Sequence, residues 1–143
     1  MDLTPIITRL RQWCPAGTFR QIGGAAELDA AISSAPVTPS AFVMPLADRA
    51  DDPYLASYHL QHVMRHFAIV LCVANRADAT GEAAASELAS RRSAVATALL
   101  GWAPDESTGD PIAYSSGRVL RFADGRLWWS DEYRHQATNL NLA

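Results

Sequence analysis

Apolar positions divide this chain into stretches that repeat every three or four residues and stretches that alternate. The first spacing predicts helices, and the second predicts strands. Helices are predicted over 4–14, 25–34 and 82–100. Extended segments are predicted over 18–22, 41–46 and 59–75, and as a hairpin of 118–122 with 127–130.

The longest extended stretch has two different halves. From His59 to His66 polar and apolar residues alternate, which predicts a half-exposed strand that extends from the domain as a hairpin arm. Residues 67–73 are apolar on both parities, which is typical of a strand in the centre of a sheet. The stretch therefore predicts one long strand with a buried end and an exposed end.

Local signals set the expected ends of the elements. Thr4 is a candidate cap for the first helix, and Gly101 with Pro104 predicts the end of the third. Pro45 predicts that its strand ends there or lies at an edge, before an acidic loop of about a dozen residues. Asp124-Gly125 predicts a tight hairpin turn. Residues 136–143 are expected to fray or to dock elsewhere.

The order α, α, β, β, α, β, β predicts an α+β fold in one domain spanning residues 1–143. We expect a mostly antiparallel sheet of about four strands, with the long helix across one face and the N-terminal helices beside it. Hydrophobic residues make up 49% of the chain, which excludes disorder as its main state.

Charge and hydropathy exclude two classes of partner. The net charge is −3 and no basic cluster occurs, so binding of duplex DNA through many phosphate contacts is not expected. No apolar run approaches the roughly 20 residues that span a bilayer, and the N-terminus lacks the pattern of a signal peptide. We therefore expect synthesis in the cytosol and no membrane partner.

Candidate chemistry is sparse. His59, His62 and His66 would share a face on a helix and could bind zinc, but on a strand His59 points away from the other two. Cys14 and Cys72 are predicted to be buried thiols. No nucleophile motif or phosphate-binding loop is present. We expect no enzyme activity, no metal and no cofactor.

The chain resembles the tail terminator proteins of long-tailed, siphovirus-type bacteriophages. The resemblance covers nearly the whole chain through ordered segments: Arg9-Leu10 with Phe19, then 24–28, 41–46, 67–75, 99–104, 117–120 and 127–131. It implies a small protomer that forms a six-membered ring. Such a ring caps the tail tube, stops its polymerisation and offers its other face to neck or head-completion proteins, while DNA passes through the hole.

The resemblance also implies a place in the virion, at the tail or neck, reached from the host cytoplasm during assembly. It supplies no catalytic residues. The candidate residues facing the channel are the acidic ones, since like charge repels DNA phosphates: Asp51, Asp52, Asp105 and Asp110. The candidate contacts between subunits are His62, Arg65, Trp128 and Tyr133.

Two alternatives remain open from the sequence. The chain could be another head–tail joining protein, such as a head-closure or minor tail component. It could also be a small ligand-binding or metal-binding enzyme that uses His59, His62 and His66.

Overall fold

The computed structural model describes residues 2–34, 36–54, 59–75, 82–104 and 110–141. The elements in chain order are α1 (Thr4–Trp13), β1 (Gln21–Gly23), α2 (Ala25–Ser33), β2 (Ser40–Ala50), β3 (His59–Ala74), α3 (Glu82–Leu99), β4 (Ala113–Ala123) and β5 (Arg126–Asn141). The predicted α+β class is confirmed.

The strands form one sheet in the order β1-β2-β3-β5-β4. It has five strands instead of about four, because residues 21–23 pair in parallel with the start of β2. The other three pairings are antiparallel. The central position of β3 is confirmed, and its two halves differ as the hydrophobic pattern predicts.

Helices cover both faces at one end of the sheet. The larger core lies between the sheet and helices α1 and α3, and includes Leu10, Phe67, Leu71 and Leu99. The smaller core lies under α2 and contains Leu28, Phe42, Val70, Cys72 and Trp128. Both cysteines are buried free thiols, as predicted. None of the described helices is long and apolar enough to cross a membrane.

Three expected boundaries are wrong. The strand predicted over 41–46 continues to Ala50 through a register shift between Pro45 and Ala47, and the acidic loop is correspondingly shorter. Pro45 lies beyond the three residues of β2 that pair with β1, so the edge position predicted for it is confirmed. A bulge at an edge is a setting in which a strand accepts proline. Thr4 is the first helical residue and makes no side-chain cap, because the Asp2 carboxylate accepts its backbone N–H at 3.0 Å instead.

The C-terminal segment is the third such correction. Residues 136–141 continue β5 and pair along β3 as far as His59 with Asn141. The long β3 strand provides an edge with which these residues can pair. β2, β3 and β5 together therefore form the arm, which extends past the part of the sheet that the helices cover.

Candidate assembly surfaces

The arm ends in exposed acidic residues. Past the end of β2, the Asp51 N–H donates to the His62 carbonyl at 2.9 Å, and the Tyr54 N–H donates to the Leu60 carbonyl at 3.0 Å. Asp51 and Asp52 are both exposed there. Asp110 is half-buried and lies three residues before β4, and Asp105 lies outside the described residues. Two of the four candidate channel residues are thus adjacent on an exposed tip.

The histidines of the arm make separate contacts. His62 Nδ1 lies 3.0 Å from Gln136 Nε2 and 3.3 Å from Thr138 Oγ1. His66 Nδ1 lies 3.4 Å from Glu132 Oε1. Four residues of strand separate the Cα atoms of His62 and His66 by about 13 Å, whereas ligands of one zinc ion lie about 2 Å from it. The strand therefore does not bring His62 and His66 to a common metal ion.

The remaining histidine and the other side chains that could bind a metal ion bear on the same question. The side chain of His59 lies outside the described part of the chain. Within the described ranges, no group of three or more His, Cys, Asp or Glu side chains could hold a metal ion. The arrangement that the zinc alternative requires is not present in this part of the structure.

The predicted subunit contacts divide into two pairs. His62 and Arg65 are half-buried on the arm, where a second copy could reach them. Trp128 and Tyr133 are only 9% and 2% exposed, so both lie in the interior of the protomer, and their contact with a second copy stays a prediction. Trp128 packs under α2, and Tyr133 stacks on Phe67 with ring centroids 5.9 Å apart. The burial of Tyr133 raises the pKa of its hydroxyl.

The exposed apolar residues of the hairpin lie instead on β4, the outermost strand. None of its residues is buried, and Val119, Leu120 and Phe122 are 54%, 45% and 53% exposed. These three residues are not among the contacts predicted from the sequence. The signal was available: apolar residues on both parities are typical of an inner strand, and here the strand is at the edge.

A buried carboxylate fixes the inner side of β4. Asp131 is 1% exposed and receives hydrogen bonds from Arg92 of α3 at 2.8 and 3.0 Å. Trp129 Nε1 donates to the same carboxylate at 2.8 Å, and the Tyr114 hydroxyl donates at 3.2 Å. These bonds raise the pKa of Arg92, chiefly through Asp131. The network links α3, β5 and β4, and sequence spacing offered no signal for it.

Gly117 makes the network possible. A Cβ atom at this position would lie 2.5 Å from the Tyr114 hydroxyl and 2.6 Å from Asp131 Oδ1. Both distances are shorter than van der Waals contact. The glycine therefore lets β4 lie close against the buried carboxylate, which fixes the position of the exposed strand.

Comparisons with known proteins identify a family and a similar fold. The family model described as phage tail terminator protein matches residues 1–139. Among solved structures, a chain in the virion of a native gene transfer agent (GTA) particle is similar in fold, with a TM-score of 0.54 and 14% identity. That match covers 94% of this chain and 92% of the other. No curated protein matches the chain.

Proposed function

We propose that this chain, which belongs to the phage tail terminator family and is a structural protein of the phage tail, forms a closed six-membered ring that ends the tail tube. The observation that carries the proposal is the family match over residues 1–139. The ring binds the last layer of tail tube protein, stops further polymerisation and presents its other face to a neck or head-completion protein. The role requires binding surfaces and no catalysis, cofactor or metal.

The surfaces of the protomer support a ring. A cyclic assembly of identical chains needs two different patches on each copy, because each subunit contacts its two neighbours through different surfaces. β4 provides an exposed apolar strand at one edge of the sheet, and β1 with α2 forms the opposite edge; His62 and Arg65 on the arm remain predicted contacts outside these two patches. The two patches belong to different parts of one rigid sheet, as a head-to-tail contact requires.

The acidic tip supports a channel through which DNA moves freely. Asp51 and Asp52 are exposed at the end of the arm, and Asp110 and Asp105 precede β4. We place at least one of these acidic groups at the channel wall. Negative charge there repels the phosphates, so that DNA passes without being held.

In the proposed role the chain assembles in the host cytoplasm and is incorporated into the finished tail. Removing it from the phage tests this role. A phage that lacks this chain is expected to make tails of uncontrolled length that do not join heads, as electron microscopy of lysates would reveal. Wild-type chain added to such a lysate should cap the tails and restore joining. Tails of normal length that stay unattached would favour the head-closure alternative, and tails of normal length on heads would contradict both functions.

A further inference from the structure

Strand β4 has the composition of an inner strand and the position of an outer one. Val119 and Phe122 pair with Trp129 and Leu127, which places them on the face of the sheet that α3 covers. Leu120 lies on the other face, in a groove of about 230 Å³ beside α2. An edge strand that is apolar on both faces exposes surface that a further strand or helix would cover.

The opposite edge of the sheet carries a cleft. It lies between β1 and α2, has a volume of about 260 Å³, and is lined by Gln21, Glu27, Ala30, Ala31, Ser34, Pro36 and Val37. Val37 is 50% exposed beside it. The short β1 strand pairs with β2 on one side, and among the described strands it has no neighbour on its other side.

The two edges lie at the same level along the strand direction. Strand pairing connects one residue in each strand across the sheet, in the row Gly23, Phe42, Val70, Ser130, Arg118. Glu27 sits directly over Gly23, since a Cβ on that glycine would lie 2.8 Å from the Cβ of Glu27. Glu27 and Arg118 therefore mark opposite ends of the same row.

The two edges are also matched in face and charge. Arg121 pairs with Trp128, which packs under α2, so Arg121 and Arg118 lie on the face that α2 covers. β4 contains these two arginines and no acidic residue. The Glu27 side chain is exposed on the same face, and it accepts the Gly24 N–H at 3.0 Å. Backbone hydrogen bonds lower the pKa of Glu27 from its ordinary value.

We propose that β4 of one copy docks on the β1–α2 edge of the next copy, with Leu120 at the cleft and with Arg118 and Arg121 facing Glu27. The inference rests on the proposed ring, because it names the contact that closes it. Head-to-tail repetition of one such contact generates a ring when the rotation closes. The neighbour covers the apolar surface of β4, and opposite charges set its orientation.

A mixing experiment tests the head-to-tail pairing. One variant removes the β4 side chains with Arg118→Ser, Leu120→Ser and Arg121→Ser. The other blocks the cleft with Ala30→Arg, which fills it and repels the arginines of β4. Each variant alone should lose at least about tenfold in ring yield by native mass spectrometry. Their mixture should form dimers, since the first variant keeps its cleft and the second keeps its β4.

The control for this experiment is Arg134→Ser, which removes an exposed arginine from the inner strand β5 and should leave ring yield unchanged. Circular dichroism confirms that each variant folds. Rings at wild-type yield from either variant, or a mixture without dimers, would overturn the proposed contact.

Cysteine cross-linking gives an independent measurement. Leu120→Cys with Val37→Cys should give a ladder up to six chains when rings are treated with a short bismaleimide. Leu120→Cys with Trp13→Cys is the matched control, because Trp13 is 56% exposed on α1, and it should give monomers. Burial raises the pKa of both native thiols, that of Cys72 to about 11, so they react slowly.

The possible outcomes distinguish a failure of the proposed β4 contact from a failure of the proposed terminator function. Rings that form without the Leu120 and Val37 cross-link would show that the contact is wrong, while the terminator function stands. Wild-type chain that stays monomeric both in solution and on purified tail tubes would overturn the ring and the contact together.

Discussion

Strands β3 and β4 belong to the same sheet, and both are apolar on two faces, but they differ in what covers them. Residues 67–73 of β3 are at most 5% exposed, between α1 and α3 on one face and α2 on the other. On β4, the three residues Val119, Leu120 and Phe122 remain about half exposed. The same pattern thus produces a core in one place and an open surface in another.

The difference between β3 and β4 separates the free energy of folding from the free energy of association. Apolar burial around β3 occurs when a single chain folds, and each fully buried large side chain contributes roughly 1.5–3 kcal/mol. The described residues leave the apolar surface of β4 open, and in the proposed ring a neighbouring copy buries it. Substitutions in the first region should therefore change the stability of the protomer, and substitutions on the second should change its assembly.

Leu99 gives the strongest contrast. Leu99 is 0% exposed in the larger core, whereas its neighbour Leu100 is 45% exposed. Leu99→Ala should lower the free energy of unfolding by about 2–5 kcal/mol, because it leaves a cavity. Leu100→Ala should cost less than about 0.5 kcal/mol. Urea unfolding followed by tryptophan fluorescence measures both, and equal effects would show that the face of α3 is misassigned.

Asp131 tests the link between the two regions. Asp131→Asn keeps the shape but turns one acceptor into a donor that faces the donors of Arg92 and Tyr114. The expected loss is about 1.5–3 kcal/mol, the range for hydrogen bonds to a charged group. Asp124→Asn, at an exposed turn, should change stability by less than about 0.5 kcal/mol. Thermal unfolding of the two variants compares them.

Hydrogen exchange provides a second measurement on Asp131→Asn, and a defect confined to the side chain of Asp131 would not change it. Because the network ties β4 to α3 and β5, Asp131→Asn should speed hydrogen exchange of the β4 amides more than that of residues 67–73. Uniform acceleration across both strands would mean that the network stabilises the whole fold and does not hold β4 in particular.

The hairpin turn should show a smaller effect. Asp124 and Gly125 have φ values of 56° and 70°, as a two-residue type I′ turn requires. Gly125→Ala should cost about 1–2 kcal/mol, because a Cβ is disfavoured in the left-handed region. Gly125→Asn should cost less, since asparagine tolerates this region. Equal melting temperatures for the alanine and asparagine variants would contradict this explanation.

The sequence predicted the covered region better than the open one. The local sequence pattern identified β3, α3 and the Asp124-Gly125 turn, because each depends on residues close in the chain. It did not identify the partners of Asp131, which lie up to 39 residues away. It also proposed Trp128 and Tyr133, which are only 9% and 2% exposed, as subunit contacts, because alternation separates two faces but does not show that helices or neighbouring strands cover both.

The smallest expected effect on the protomer concerns the acidic tip of the arm. Asp51 and Asp52 are exposed, so replacing both with lysine should change the free energy of unfolding by less than about 0.5 kcal/mol. Ring yield should also stay unchanged, because the proposed contact lies at the other end of the sheet. The two replacements change the net charge of each chain by +4. If these residues line the channel, the lysines would attract the phosphates and slow DNA passage.

DNA ejection from particles, followed by dye uptake, measures that step. Asp51→Asn with Asp52→Asn should give an intermediate rate, and Asp52→Lys should slow ejection more than Asp2→Lys, which makes the same charge change at the start of α1. Raising the salt concentration should weaken the effect, since the screening length falls from about 10 Å at 0.1 M to about 3 Å at 1 M. If the ejection rate is unchanged in all of these variants at low salt, the arm tip does not line the channel. The proposed ring and its role in ending the tail would still stand.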